Sequence, residues 1–227
     1  MDSLRRLEEI FAHFPGIGPR QARRFVHYLQ GRPTTQVAEL VRLINEVKAD
    51  TTECSRCHRY FIANELGLNE PGAKKSGTTC SICANTERDQ GTLMIVARDS
   101  DLESIEKSGA YKGLYFVLGG TVPILDKEPE KKIRLKSLLE HINKFSVAEN
   151  NTGTLKEIIL SLNTTPDGEH TTDIVKDAIK KILAGDDINT VNSESPKMTI
   201  LGRGLSTGAE LEYADSETIK NALGNRR

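Results

Sequence analysis

No run of apolar residues in the chain approaches the ~20 that a helix needs to span a bilayer, which argues against a helical membrane protein. The opening stretch, Met1 to Phe11, carries Asp2, Glu8 and Glu9 where a signal peptide would have an apolar core, so export is not expected and a cytoplasmic protein is. An excess of charge of either sign is also missing. Thirty-one Lys and Arg face 32 Asp and Glu, for a formal net charge of -1, so nothing pulls the whole molecule toward nucleic acid. A DNA-binding protein with this balance must concentrate its positive charge locally. Cysteine is scarce: Cys54, Cys57, Cys80 and Cys83 form two close pairs, with none elsewhere. In a reducing compartment that pairing argues for metal ahead of disulfide. A GxxxxGK[ST] loop is absent, which leaves Walker-type nucleotide binding unsupported. So is a GxSxG nucleophile turn. The five histidines are scattered without a second catalytic partner, and there is no tandem repeat or low-complexity tract.

What is present is a globular chain of 227 residues, 37% hydrophobic and 28% charged, long enough for one large domain or two small ones. Leu4, Leu7, Ile10 and Phe11 recur at helical spacing and stop before Pro15. A second helix is predicted from Pro19 to Leu29 and a third from Thr35 to Val47, with Val37, Leu40, Val41, Ile44 and Val47 on one face. Beyond the cysteines the texture changes. Apolar strands are predicted at 93–97, 114–118, 157–163 and 198–201, alternating with helices over Asp101–Ser108, Lys131–Asn143 and Thr172–Leu183. That order predicts parallel βαβ units, in a sheet covered on both faces. Lys127–Lys132 and Glu149–Gly153 read as polar connections.

Pro15-Gly16-Ile17-Gly18-Pro19 lies between the first two helices. Its glycines permit unusual backbone angles and let a phosphate come close, and the second helix then aims its N–H groups and positive dipole end at that ligand. Arg20, Arg23, Arg24 and His27 follow at i, i+3, i+4 and i+7, on one face, and no acid occurs between Glu9 and Glu39. This is the local charge that the neutral total demands. The expected interface is a helix–hairpin–helix of Gly16, Gly18, Arg20, Arg23, Arg24 and His27 that binds DNA by its phosphates, independent of sequence.

Cys54-x-x-Cys57 and Cys80-x-x-Cys83 can close four thiolates tetrahedrally around Zn²⁺. Four thiolates leave no open coordination position, so one structural zinc is expected, with His58 as a weaker competing ligand. The polar stretch from Asn64 to Thr79 reads as a loop between the pairs.

Parallel sheets bind ligands beyond the carboxyl ends of their strands. A phosphoryl-transfer enzyme of this layout would place paired carboxylates there to hold Mg²⁺. The chain instead offers Ala97, Asn163 and Thr165, none a good metal ligand. Asp99, Asp101, Asp167 and Glu169 lie near, and Asp101 and Glu169 are read as helix-start residues.

The order of parts resembles the bacterial recombination mediator RecR family: a PGIGPRQARRF hairpin, a four-cysteine finger, an α/β region, then the run from Gly202 to Asp215 (GRGLSTGAELEYAD) and the close from Thr218 to Arg227. YFVLGG at 115–120 and the Asn163…Gly168-Glu169 turn add to it. The resemblance implies an α/β fold in four parts: a helix–hairpin–helix DNA-binding domain over 1–52, a C4 zinc finger over 53–88, a Toprim-like domain with a parallel sheet and flanking helices over 89–190, and a C-terminal strand and helix segment, Walker-B-like, over 191–227. It further implies a homodimer or homotetramer ring that encircles DNA, work with RecO-like and RecF-like partners in loading recombinase at gaps, and a place at the bacterial nucleoid in the cytoplasm. Arg20 and Arg24 match its DNA-binding positions, the cysteines its zinc ligands, and Asp167 and Glu169 its partner-binding acids. Two departures stand out. Ala97 replaces a glutamate common in the family, and the loop from Asn64 to Gly77 is longer than usual.

The expected function is therefore a non-catalytic clamp and adaptor in recombinational DNA repair. The alternative is a Toprim metalloenzyme that nicks or primes nucleic acid. Against it stand Ala97, Asn163 and Thr165, and the placement of Tyr111, Tyr115 and Tyr213 in or beside regular elements. A zinc-containing interaction module without a DNA role is a third reading.

Overall fold

The computed structural model describes residues 2–62, 79–126, 128, 131–147, 155–184, 195–202 and 216–224. The expected loop from Asn64 to Gly77, the connection Glu149–Gly153 and the run from Arg203 to Asp215 lie outside them. The chain divides into two compact units, Met1–Thr51 and Thr52–Arg227.

The first unit holds three helices: α1 (Ser3–Ala12), α2 (Pro19–Gln30) and α3 (Thr34–Asp50). Asp2 caps α1 by accepting the Leu4 N–H at 3.2 Å. Pro19 occupies the first turn of α2, where a missing N–H is tolerated. Helices α1 and α2 pack on each other, with Ala22 and Val26 buried and the Phe11 ring edge-on to Phe14 and Phe25. Among the described residues of this unit, the apolar face of α3 finds no such cover. Leu40, Val41, Ile44 and Val47 stand exposed there, with Leu43 beside them.

The second unit opens with a small hairpin, β1 (Thr51–Glu53) and β2 (Tyr60–Ile62), and a short helix α4 (Ser81–Ala84). A four-stranded parallel sheet follows, with strand order β4-β3-β5-β6. Its strands are β3 (Asp89–Val96), β4 (Gly113–Val117), β5 (Glu157–Ser161) and β6 (Lys197–Ile200), joined through α5 (Asp99–Ser108), α6 (Leu135–Val147) and α7 (Pro166–Leu183). Helix α8 (Ser216–Gly224) is the last element described.

Handedness decides which face each helix covers. From β3 the chain steps to β4 on one side, then doubles back past β3 to β5 and on to β6. Right-handed crossovers in opposite directions must lie on opposite faces. Accordingly Leu93, Ile95, Leu114, Phe116, Ile158 and Leu160 pack with Leu138 and Ile142 of α6 and Val175 and Ile179 of α7. The intervening residues Met94, Val96, Tyr115 and Val117 face Leu102 of α5. One helix cannot cover that face, and the rest is closed by the four cysteines with Phe61 and Ile82. The finger is thus part of the sheet's own core.

Two helix starts differ most from the sequence expectation. Helix α7 begins at Pro166 instead of Thr172, because Thr165 caps it, accepting from Gly168 N at 3.3 Å, and Pro166 takes the first turn. Helix α6 begins at Leu135 instead of Lys131. The preceding segment is drawn to the sheet, where Arg134 N donates to the Leu118 carbonyl at 2.9 Å.

Candidate nucleic-acid interface and metal centre

The hairpin lies between α1 and α2. Gly16 sits at φ 75°, the left-handed region where a side chain would be strained. The Ile17 N–H returns to the Phe14 carbonyl at 3.0 Å, and those of Gln21 and Ala22 to Gly18, which fixes the turn into the helix. Nothing lies within 4 Å of where a Cβ on Gly18 would be, so its backbone is open to close approach.

Arg20, Arg23, Arg24 and His27 are all exposed along α2, but they are not equivalent. Arg23 Nε lies 3.6 Å from Glu8 of α1, which offsets its charge. Arg24 donates to Gln21 Oε1 at 3.3 Å, and the His27 ring shares a hydrogen bond with Gln30, so both have neutral partners. Beside the hairpin a groove of about 530 Å³ is lined by Phe11, Phe14, Ile17, Phe25 and Tyr28 among others. Phe25 is 38% exposed at this groove.

The four cysteine thiols are buried, and their Sγ atoms all lie within 4.8 Å of one another. Cys57 and Cys80 Sγ are 3.6 Å apart. Bonds of about 2.3 Å to a tetrahedral zinc would set sulfurs ~3.8 Å apart, so the cage has the size the ion requires. The thiols share protons. Hydrogen bonds from Cys57, then Cys80 and Cys83, hold the Cys54 thiol far below its ordinary range. Those with Cys54 first, then burial, drive Cys57 and Cys83 up. A divalent cation would replace this shared set of protons and let all four ionise. His58 turns away from the cage: its Nδ1 is 2.8 Å from Glu53 Oε1, and its ring stands edge-on to Phe116.

The finger also holds the outer edge of β4. Val117 N donates to the Cys57 carbonyl at 2.8 Å, Arg88 Nε to the Gly113 carbonyl at 2.9 Å, and Arg134 Nη1 to the Val117 carbonyl at 3.3 Å. Arg134 further reaches Glu53 and the Tyr60 hydroxyl, while its guanidinium fills the space a side chain on Gly119 would need. The sequence reading did not single out Arg134, and only its distance from Gly119-Gly120 in the fold reveals its use. Arg88 also pairs with Glu106, which accepts the Tyr115 hydroxyl at 2.7 Å.

At the carboxyl end of the sheet, Ala97 is fully buried, and Asn163 and Thr165 are exposed. Three of the neighbouring acids serve the backbone. Asp99 accepts Tyr60 N at 2.8 Å, Asp101 accepts Arg98 N at 2.9 Å, and Asp167 accepts Ile124 N at 3.3 Å. Glu169 lies exposed in the first turn of α7, its N–H bonded to the Thr165 carbonyl. Among the described residues, the four cysteines are the group of three or more such ligands close enough to share a metal ion. No described helix is long and apolar enough to cross a membrane.

Comparison with known proteins places these parts. Residues 91–188 match the Toprim domain family, and residues 204–227 the family described as RecR, C-terminal. A protein of Bifidobacterium animalis subsp. lactis named Recombination protein RecR is 34% identical, over 99% of this chain and 96% of its own length. Proteins of the same name from Lactobacillus acidophilus and Gloeobacter violaceus are 33% and 31% identical, over 97% and 99% of this chain and 94% and 96% of their own.

Proposed function

The chain belongs to the RecR family of recombination proteins, and from that premise we propose that it is a non-catalytic mediator of recombinational DNA repair that clamps DNA by its phosphates. The observation that carries this reading is the hairpin. An open Gly18, a helix N-terminus and the exposed side chains of Arg20, Arg24 and His27 converge on one surface of a chain whose net charge is -1. Gly16 and Gly18 bring the backbone to the phosphate, and Arg20 and Arg24 supply the charge.

The division of labour follows the four stretches 1–52, 53–88, 89–190 and 191–227. Cys54, Cys57, Cys80 and Cys83 hold one structural zinc, supported by the size of the thiol cage. One hairpin makes too few phosphate contacts for a stable clamp, and repetition around a symmetric homodimer or homotetramer ring multiplies them. The exposed apolar residues of α3 support self-association, since a second copy would cover them. Asp167 and Glu169, at the start of α7, face RecO-like and RecF-like partners that cooperate at gaps. The setting is the bacterial cytoplasm, at the nucleoid.

The test is retention of gapped DNA by purified protein. Arg20→Glu with Arg24→Glu is expected to abolish it while the circular dichroism spectrum stays unchanged. Unaltered binding by that double variant refutes the hairpin reading. Mg²⁺-dependent nicking or primer synthesis by the purified protein would restore the Toprim enzyme in its place.

A further inference from the structure

The basic surface of α2 continues past the hairpin residues. Arg20, Arg24 and Tyr28 are spaced i, i+4 and i+8, so they form one shallow stripe up the helix. Arg32, four residues further, follows the Gly31 cap, where its N–H bonds to the Leu29 carbonyl at 3.1 Å. Its guanidinium carbon lies 4.1 Å from the centre of the Tyr28 ring, a close cation–π stack. That stack covers one face of the ring. Tyr28 nonetheless keeps 58% of its surface exposed, so a planar partner can reach it.

We propose that Tyr28, backed by Arg32, is a stacking platform for an unpaired base, and that it makes the hairpin surface select DNA in which a single-stranded stretch adjoins a duplex. The inference rests on the hairpin reading given above. At 1.5 Å per residue, Tyr28 stands about 12 Å along the helix from Arg20, three to four nucleotide steps at ~3.4 Å. A strand whose phosphates are held at Arg20 and Arg24 therefore brings its next bases to Tyr28. In a duplex those bases face inward and offer the ring nothing. In a gap their faces are free, and stacking on an aromatic ring accepts any base. The arginine on the far face adds charge for the phosphates and holds the ring in place, so the site needs no base-specific hydrogen bond. Phosphate contacts alone would treat the two forms of DNA alike. The platform supplies the difference.

The experiment measures affinity of the full-length protein for a blunt duplex and for the same duplex carrying a gap, with 2-aminopurine as an unpaired base beside the junction. Wild type is expected to prefer the gapped form about tenfold, within the range of one stacked base, and to quench the 2-aminopurine. Tyr28→Phe keeps a flat ring and both properties. Tyr28→Leu, apolar and bulky but without a ring face, and Tyr28→Ala lose the preference and the quench, with duplex affinity unchanged. A wild type without preference, or a preference that survives in Tyr28→Leu and Tyr28→Ala, overturns the proposal. Loss of binding to both forms in Arg20→Glu with Arg24→Glu is the separate mark of the hairpin itself. If that variant binds normally, the hairpin reading fails, and the proposal with it.

Discussion

Removing the proposed zinc should melt far more than the finger. The perturbation is Cys57→Ser, which deletes one ligand at nearly constant volume, alongside chelation of the wild type. The thiols share a core with Met94, Val96, Tyr115 and Val117, which is one face of the sheet. The Cys57 carbonyl also accepts the Val117 N–H, and the Tyr60 N–H in the same finger donates to Asp99 at the start of α5. Structural zinc contributes about 10–16 kcal/mol to small metal-dependent folds, as much as the ~5–15 kcal/mol that a whole domain has in hand. If only ~3 kcal/mol of it reaches the sheet, Tm should fall by about 6–12 °C, at the 2–4 °C per kcal/mol typical of this size. The assay is calorimetry with metal analysis of the same sample, and amide exchange read at Val117. Loss of Val117 protection together with a lowered Tm is expected in both the variant and the chelated protein. A sample verified free of metal, with Tm and Val117 protection unchanged, would refute both the zinc assignment and the claim that finger and sheet form one core.

Two further outcomes are expected. Arg23→Ala should leave the salt dependence of DNA affinity almost unaltered, because Glu8 already compensates that charge. Arg20→Ala should lower the slope of log affinity against log salt by about 0.9 per hairpin engaged, and equal slopes for the two variants would show that the pairing with Glu8 does not hold in solution. Glu106→Gln should destabilise the fold by about 1–3 kcal/mol at neutral pH, since it removes the charge partner of Arg88. Burial raises the Glu106 carboxyl, but hydrogen bonds from Arg88 and Tyr115 and the Arg88 charge outweigh it and leave it below its ordinary 4.5. The unfolded chain therefore takes up the proton first as pH falls. The wild type's advantage should be complete above about pH 4.5 and disappear as pH drops through the lower folded value. Urea titrations of both proteins across that range check it, and an advantage that grows toward acid would contradict the sign.

Local chemistry made much of the fold legible in the sequence. The period of Leu4, Leu7, Ile10 and Phe11 announces α1, Pro19 announces the start of α2, and the runs at 93–97 and 114–118 are too apolar for anything but buried strands. The start of α7 was equally local, in Thr165-Pro166, but the apolar period sets in only later and drew the boundary with it. Other features had no local signature. Whether Arg23 faces solvent or Glu8 depends on how α1 packs on α2. The apolar period of α3 predicts a helix correctly, yet a period cannot say whether the covering surface belongs to the same molecule. The four cysteines announce a metal site, but nothing in their spacing says that the site would complete the core of the sheet. That follows from the crossover order, which leaves one helix for a face that needs more.

The covered edge of β4 bears on how the protein behaves when crowded. An open parallel sheet ordinarily has two adhesive margins, and two margins permit endless end-to-end growth. Here Cys57, Arg88 and Arg134 occupy the Val117 N–H and the Gly113 and Val117 carbonyls on one margin. Among the described residues, β6 is the other outermost strand. A strand added along the β4 margin would first have to displace those contacts. The contacts that hold the finger on the sheet therefore also oppose edge-to-edge joining of copies at that margin.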